Sequence, residues 1–144
     1  MTGKLAKLSA LSWPEQRVLL QAMLLLPLCW TGLRVLGFSR LHAWMVRSPA
    51  AGANSDSDVE PARLGALIGI AAAHVPFPST CLTRSLLLAW LLGRRGLCSE
   101  LRIGVRVIGG VLDSHAWVEQ DGKPINDTPG IAGRFAVFDQ PLSP

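Results

Sequence analysis

A cysteine stands where the sequence predicts the start of a helix, at position 81 within the segment 77–90. Pro76 and Pro78 keep the chain extended just before it, and Ser79 and Thr80 can each cap the first free N–H groups. The positive end of the helix dipole favours the thiolate form of Cys81, which is the attacking species in nucleophilic cysteine chemistry. Position alone still favours the plainer interpretation, in which Cys81 is a small buried apolar residue.

A nucleophilic cysteine needs a base, and the base needs a third group that fixes its tautomer. His115 follows Cys81 by 34 residues in a predicted strand, and Asp127 follows His115 by 12 residues across a predicted hairpin turn. Neighbouring antiparallel strands can place these two side chains side by side. We therefore expect Asp127 to accept a hydrogen bond from one imidazole nitrogen while the other faces Cys81.

Each of these residues also has an interpretation without catalysis. His115 could be a half-buried strand histidine, and Asp127 could cap the turn that follows it. Asn126 is a second candidate for orienting the histidine, although a regular strand directs it to the opposite face from Asp127. One architecture accounts for Cys81, His115 and Asp127 together, and this favours the functional interpretation.

The first half of the chain is predicted to be helical. Ser12 and Glu15 form a capping box that begins an apolar helix, which Pro27 should kink or break, with a further helical stretch over 28–41. A next helix is expected from the acidic segment 56–61, with its acids in the first turn, to His74. Its buried face is predicted to hold Leu64, Leu67, Ile68 and Ala71.

The second half changes to the alternating pattern of strands. We predict strands over 101–107 and 114–119, a short third strand over 123–127 and a last one over 134–138. Turns are expected at the Gly-Gly pair 109–110 and at the Asp-Gly pair 121–122. The fold class is α+β, with N-terminal helices packed on a small antiparallel sheet. Residues 1–57 would hold the apolar helices and a flexible connector (45–57), and residues 58–144 the core that carries the chemistry.

Composition limits the partners. The 144 residues carry a net charge of +4, without the interleaved aromatic and basic residues typical of nucleic-acid binding. Three irregularly spaced cysteines (Cys29, Cys81 and Cys98) indicate neither a disulfide framework nor a zinc site, and reduced thiols indicate a cytoplasmic protein. The apolar run from Ala22 to Trp30 is shorter than the ~20 residues that span a bilayer, so we expect buried or partner-facing helices. Peripheral membrane contact is the lesser alternative.

Four segments together resemble the lasso-peptide biosynthesis leader peptidases, which are transglutaminase-like, papain-like cysteine peptidases. The segments are PSTCLxRSL (78–86), LRIGV (101–105), HAWVE (115–119) and ND (126–127). The resemblance implies a transglutaminase-like core that removes the leader from a ribosomally made lasso-peptide precursor. It also implies that Cys81 is the nucleophile and an oxyanion donor through its backbone N–H. His115 would be the general base and acid, and Asp127 would orient it.

The same resemblance implies partners. Because the capping box at Ser12 leaves only a short lead-in, we expect the split arrangement, in which a separate leader-recognition protein delivers the precursor to the peptidase. A lasso cyclase that uses ATP would act next, and the chain itself is expected to bind no cofactor and no metal. Two alternatives remain open: a transglutaminase-like acyl transferase with the same three residues, and a non-catalytic scaffold in the same complex.

Overall fold

The computed structural model describes residues 9–47 and 59–137 of the 144. Within these ranges lie four helices: α1 (Trp13–Val35), α2 (Phe38–Arg47), α3 (Pro61–His74) and α4 (Cys81–Arg94). They are followed by β1 (Glu100–Ile108), β2 (Val111–Gln120), β3 (Lys123–Pro124), a 3-10 turn (Ile131–Gly133) and β4 (Ala136–Val137). This order confirms the predicted α+β class.

Helix α1 begins as the sequence predicts but does not break where expected. The Ser12 N–H donates to a Glu15 carboxylate oxygen over 2.9 Å, which completes the capping box. Pro27 lies inside one continuous helix of 23 residues, so the expectation of a break there was wrong. The chain breaks ten residues later, at Gly37, whose φ of +79° is in the left-handed region that favours glycine.

The continuity of α1 also changes the membrane argument. Because Pro27 does not interrupt it, α1 is long and apolar enough to cross a membrane by length and composition, with a mean hydropathy of 1.6 over 18 residues. One face of α1 is nevertheless part of the protein core. That face consists of Val18, Leu19, Ala22, Leu26 and Cys29.

Two further helix predictions are corrected. Helix α3 begins at Pro61 with Glu60 as its N-cap, so its first turn contains no acidic residue. The acids at 56 and 58 and most of the predicted connector lie outside the described residues, and Met45 belongs to α2 instead. The predicted buried face of α3 is confirmed residue by residue.

The sheet is antiparallel, with strand order β3-β2-β1-β4. Both predicted turns are present, and each has two consecutive residues with positive φ (58° and 80° at Gly109 and Gly110, 53° and 76° at Asp121 and Gly122), as tight hairpins require. The outer strands differ from the predicted ranges. Strand β3 ends at Pro124, and residues 125–127 leave the strand conformation while continuing beside β2. Strand β4 begins at Ala136, two residues later than predicted, and position 138 of that prediction lies outside the described residues.

The two faces of the sheet pack against different parts of the chain. Leu101 and Val118 join the main core formed by the helices. Trp117 faces the other way, into a smaller cluster with Ile131 and Phe135. His115 shares the face of Trp117, because the two residues are two positions apart on one strand.

Candidate functional site

Cys81 is the first residue of α4. Thr80 is the N-cap: its hydroxyl oxygen accepts a hydrogen bond from the Thr83 N–H over 3.2 Å. Of the two capping candidates in the sequence, Thr80 therefore caps the helix and Ser79 does not. The N–H of the first helical residue has no acceptor within the helix, so the Cys81 N–H is free to bind another group. The side chain of Cys81 is half-buried.

His115 lies on β2 opposite Gly104, and its imidazole is held on three sides. Its Nε2 is hydrogen-bonded to Asp127 Oδ2. The ring stacks on Phe135 at 5.4 Å and on Trp117 at 6.0 Å between ring centroids. Nδ1 has no hydrogen-bond partner among the described residues, so it is the nitrogen available to a thiol.

Asp127 is arranged to stay ionised. Burial by itself would raise the pKa of its carboxyl group, but hydrogen bonds from His115 and from the Thr128 N–H (2.7 Å to Oδ1) outweigh this, and the pKa lies below its ordinary value. An ionised carboxylate only accepts hydrogen bonds, so His115 Nε2 carries the proton. Nδ1 of the neutral ring is then a base.

The residue before Asp127 ties the site to α4. Asn126 Oδ1 accepts from the Val118 N–H over 2.8 Å, and Asn126 Nδ2 donates to Ser85 Oγ over 3.0 Å. Ser85 Oγ in turn donates over 3.1 Å to the carbonyl of Ala116, the residue after His115. The amide of Asn126 thus joins the helix of Cys81, the strand of His115 and the segment of Asp127, and Asn126 does not contact the imidazole in Asp127's place.

All three predicted residues line one cleft of about 570 Å³. One wall is the face of α3 that carries Gly65, Ala66 and Gly69. A methyl group on Gly65 would lie 3.2 Å from Asn126 Cβ, so this glycine allows the segment of Asp127 to approach α3, whereas a methyl group on Gly69 would have no atom within 4 Å. Arg84 also lines the cleft, one helical turn after Cys81. Its Nε is buried without a hydrogen-bond partner among the described residues. Side chains on a helix lean towards its N-terminus, so the guanidinium adds positive charge on the side of Cys81.

The remaining histidines and cysteines lie elsewhere. His42 stacks on Phe38 at 5.4 Å, with its pKa lowered by burial, and His74 Nδ1 bonds the Ile70 carbonyl at 2.8 Å. Burial raises the pKa of the Cys29 thiol to about 11. Cys98 is exposed and precedes β1. Across residues 9–47 and 59–137, no cluster of three His, Cys, Asp or Glu side chains has the arrangement of a metal site.

Sequence reasoning missed the parts of the site that hold the others in place. Ser85 stands four residues after Cys81, a helical spacing that could have placed both on one face. Phe135 and the role of Asn126 left no such signal, because both depend on how distant segments meet in the fold.

A cysteine that opens a helix lines one cleft with a strand histidine and with an aspartate just beyond the sheet, and in an α+β protein this set of side chains can perform thiol chemistry. Comparison with known proteins agrees: the chain belongs to the transglutaminase-like superfamily, whose family model matches residues 22–139. It is also similar to the microcin J25-processing protein McjB of Escherichia coli, with 41% identity over 62 residues.

The similarity to McjB is partial. It covers 43% of this chain and 29% of McjB, so the match spans less than a third of the relative's length. No solved structure gives a significant match. The family match and the partial similarity together support the resemblance to the lasso-peptide biosynthesis peptidases that was drawn from the sequence.

Proposed function

We propose that this protein is a cytoplasmic cysteine peptidase that removes the leader from a ribosomally made lasso-peptide precursor. The observation that carries the proposal is the hydrogen-bonded pair of His115 and Asp127, which lines the same cleft as Cys81. Membership of the transglutaminase-like superfamily supports the thiol chemistry. The partial similarity to a protein that processes microcin J25 supports a peptide precursor as the substrate.

The first half of the proposed reaction forms a thioester. His115 Nδ1 accepts the proton of Cys81 Sγ, and the thiolate attacks the carbonyl carbon of the last leader residue. The carbonyl oxygen becomes an oxyanion, which the free Cys81 N–H stabilises; one such donor is worth roughly 10²–10³ in rate. The imidazolium then protonates the amide nitrogen, the C–N bond breaks, and the core peptide leaves with a free amino terminus.

The second half releases the leader. His115 Nδ1 removes a proton from water, the hydroxide adds to the thioester carbonyl, and the C–S bond breaks. The leader leaves as a carboxylate, and the Cys81 sulfur is free again. Asp127 keeps the imidazole in one tautomer and stabilises its charged form throughout. The chemistry uses only side chains of this chain and water, so we expect no cofactor; ATP would be used by the cyclase.

Mass spectrometry of the cognate precursor tests the proposal. The wild-type protein, assayed with and without a leader-recognition protein, is expected to produce a free leader and core whose masses sum to the precursor plus one water. Cys81→Ala and His115→Ala should reduce cleavage by roughly 10³-fold or more while the fold is retained. Cys98→Ala is the matched control, because this exposed cysteine lies outside the cleft. Normal cleavage by Cys81→Ala would refute the peptidase.

An acyl transferase is the second candidate, since the superfamily is named for transglutaminases. The same thioester would then be attacked by an amine instead of water. Mass spectrometry separates the two, because transfer joins an amine to the acyl group whereas hydrolysis adds water.

The leader-recognition protein and the cyclase are proposed partners. The reconstituted reaction tests whether the leader-recognition protein accelerates cleavage.

A further inference from the structure

The outward face of α1 is largely apolar and is uncovered, with Arg17 and Thr31 as its polar residues. Residues at helical spacing form a stripe along it, which we call the α1 stripe. The α1 stripe consists of Trp13, Leu20, Leu24, Leu28 and Val35, all exposed. Leu24, at its centre, has 72% of its side chain accessible. The opposite face of the same helix packs in the core, so the α1 stripe is apolar surface that the fold itself does not bury.

The positive charge of the protein is concentrated in the same part of the chain. Residues 1–47 contain six Lys or Arg and one acid, a net charge of +5, whereas residues 48–144 contain eight basic and nine acidic residues, a net charge of −1. The single acid, Glu15, is paired with Arg63 of α3 at 2.6 Å. Arg17 and Arg34, both exposed on α1, have no ion-pair partner among the described residues.

Exposed tryptophans in the two N-terminal helices fit the boundary between lipid and water. Trp13 at the start of α1 and Trp44 on α2 are both exposed, and tryptophan is favoured where an apolar layer meets a wet one. From Trp13 to Val35 the stripe extends over about 33 Å at 1.5 Å per residue. Such a stripe can place its apolar side chains against lipid while the long side chains of Arg17, within it, and Arg34, at its edge, reach the headgroups.

We propose that α1 binds peripherally to a lipid surface rich in anionic headgroups, lying flat with the α1 stripe in the interface. The inner face supports this orientation over a transmembrane one, because Ala22 and Leu26 are fully buried in the core and would be lost from it if the helix crossed the bilayer. The cleft stays accessible, since no residue of α1 lines it.

Co-sedimentation of the full chain with vesicles tests this proposal, and it does not depend on the peptidase activity. Vesicles of phosphatidylglycerol and phosphatidylcholine are expected to bind the protein, and phosphatidylcholine alone much more weakly. Leu24→Glu should lower the partition coefficient at least about tenfold, because it removes apolar area that would enter the lipid interface and adds a negative charge there. Arg17→Gln should lower it about fivefold at low salt and less at high salt.

Leu112→Glu is the matched control. Leu112 lies on β2 near the hairpin turn, is 67% accessible, and is not part of the α1 stripe, so its vesicle binding should equal that of the wild type. Circular dichroism establishes that each variant is folded. The proposal is overturned if the wild type does not bind anionic vesicles, or if Leu112→Glu weakens binding as much as Leu24→Glu. Size-exclusion chromatography gives a further test. The proposal is also overturned if a second copy of the chain or the leader-recognition protein binds the α1 stripe and anionic vesicles do not displace it.

Discussion

Asn126 donates a hydrogen bond from Nδ2 to Ser85 Oγ over 3.0 Å, and this contact links the segment of Asp127 to the helix that begins at Cys81. The amide oxygen of Asn126 accepts from the Val118 N–H on the strand of His115. Three groups that are far apart in the chain are thereby held by one side chain. Its position next to Asp127 makes Asn126 a positioning residue, which acts through its neighbours and not on the substrate.

Asn126→Ala should therefore reduce both stability and turnover. It leaves the Val118 N–H and Ser85 with fewer partners, which costs about 1–3 kcal/mol in the free energy of unfolding. It also loosens Asp127, so kcat for precursor cleavage should fall about tenfold or more while KM changes little. Urea denaturation and steady-state kinetics measure the two effects. Lys123→Ala, on the exposed start of β3, is the control and should change neither. An unchanged kcat in a destabilised Asn126→Ala would show that the amide is merely structural.

Asp127→Asn should lower kcat strongly, because an amide does not compel His115 Nε2 to carry the proton; the loss could reach about 10⁴-fold. The stability that Asp127 contributes to the wild type also has a predictable pH dependence. The folded-state pKa of Asp127 lies below the ordinary value of 3.8, so the carboxylate stabilises the fold above that pH, and the stabilisation is lost as the pH falls through the lower folded-state value.

Urea denaturation of the wild type and of Asp127→Asn between pH 7 and pH 2.5 measures this contribution. The wild type should be more stable at pH 7, and the difference should be constant down to about pH 5 and shrink below the ordinary pKa range of aspartate. A difference that stays the same at acidic pH would mean that ionisation of Asp127 does not contribute.

The sequence predicted those features whose causes are local. The two hairpin turns depend on a Gly-Gly and an Asp-Gly pair with positive φ, and the buried face of α3 depends on helical spacing, so the sequence pattern predicts both directly. The pairing of His115 with Asp127 was predicted from neighbouring strands, and the hydrogen bond is present although Asp127 lies just beyond β3. Features that depend on tertiary packing could not be derived in this way.

Pro27 shows why. A proline inside a helix removes one hydrogen bond and costs about 3 kcal/mol, which predicts a break. In the folded protein, Leu26 and Cys29 on either side of it are buried in the core, and this packing offsets the local cost. The Thr31 hydroxyl also donates to the Pro27 carbonyl over 2.8 Å. Tertiary contacts also override the local pattern at residues 125–127, where hydrogen bonds of the Asn126 and Asp127 side chains replace a regular third strand.

Gly104→Ala should destabilise the protein. Gly104 faces His115 across the sheet, and a methyl group there would lie 2.6 Å from Phe135 Cβ and 3.1 Å from Trp117 Cη2. Phe135 also stacks on the imidazole of His115, so a shift of Phe135 would alter the surroundings of this histidine. Overpacking of this kind costs about 1–3 kcal/mol. Gly93→Ala is the control of opposite sign: it lies inside α4 with no atom within 4 Å of the added methyl, and it should stabilise by roughly 0.5–1 kcal/mol. Equal effects of the two substitutions in urea denaturation would contradict the argument.

The three cysteines should differ in their rates of alkylation by iodoacetamide at pH 7.5. Burial, with a pKa of about 11, keeps Cys29 a protonated and shielded thiol, so it should react only after unfolding. Cys81 should react faster than the exposed Cys98, because it begins α4 and shares a cleft with His115, whose free Nδ1 can accept the thiol proton. Peptide mapping by mass spectrometry gives the rate at each site. His115→Ala should slow the alkylation of Cys81 and leave the alkylation rate of Cys98 unchanged. This result separates activation of Cys81 by the imidazole from simple accessibility of its thiol. If Cys81 reacts no faster than Cys98 in the wild type, the non-catalytic scaffold becomes the better explanation of the fold, since a thiol without activation cannot begin the reaction.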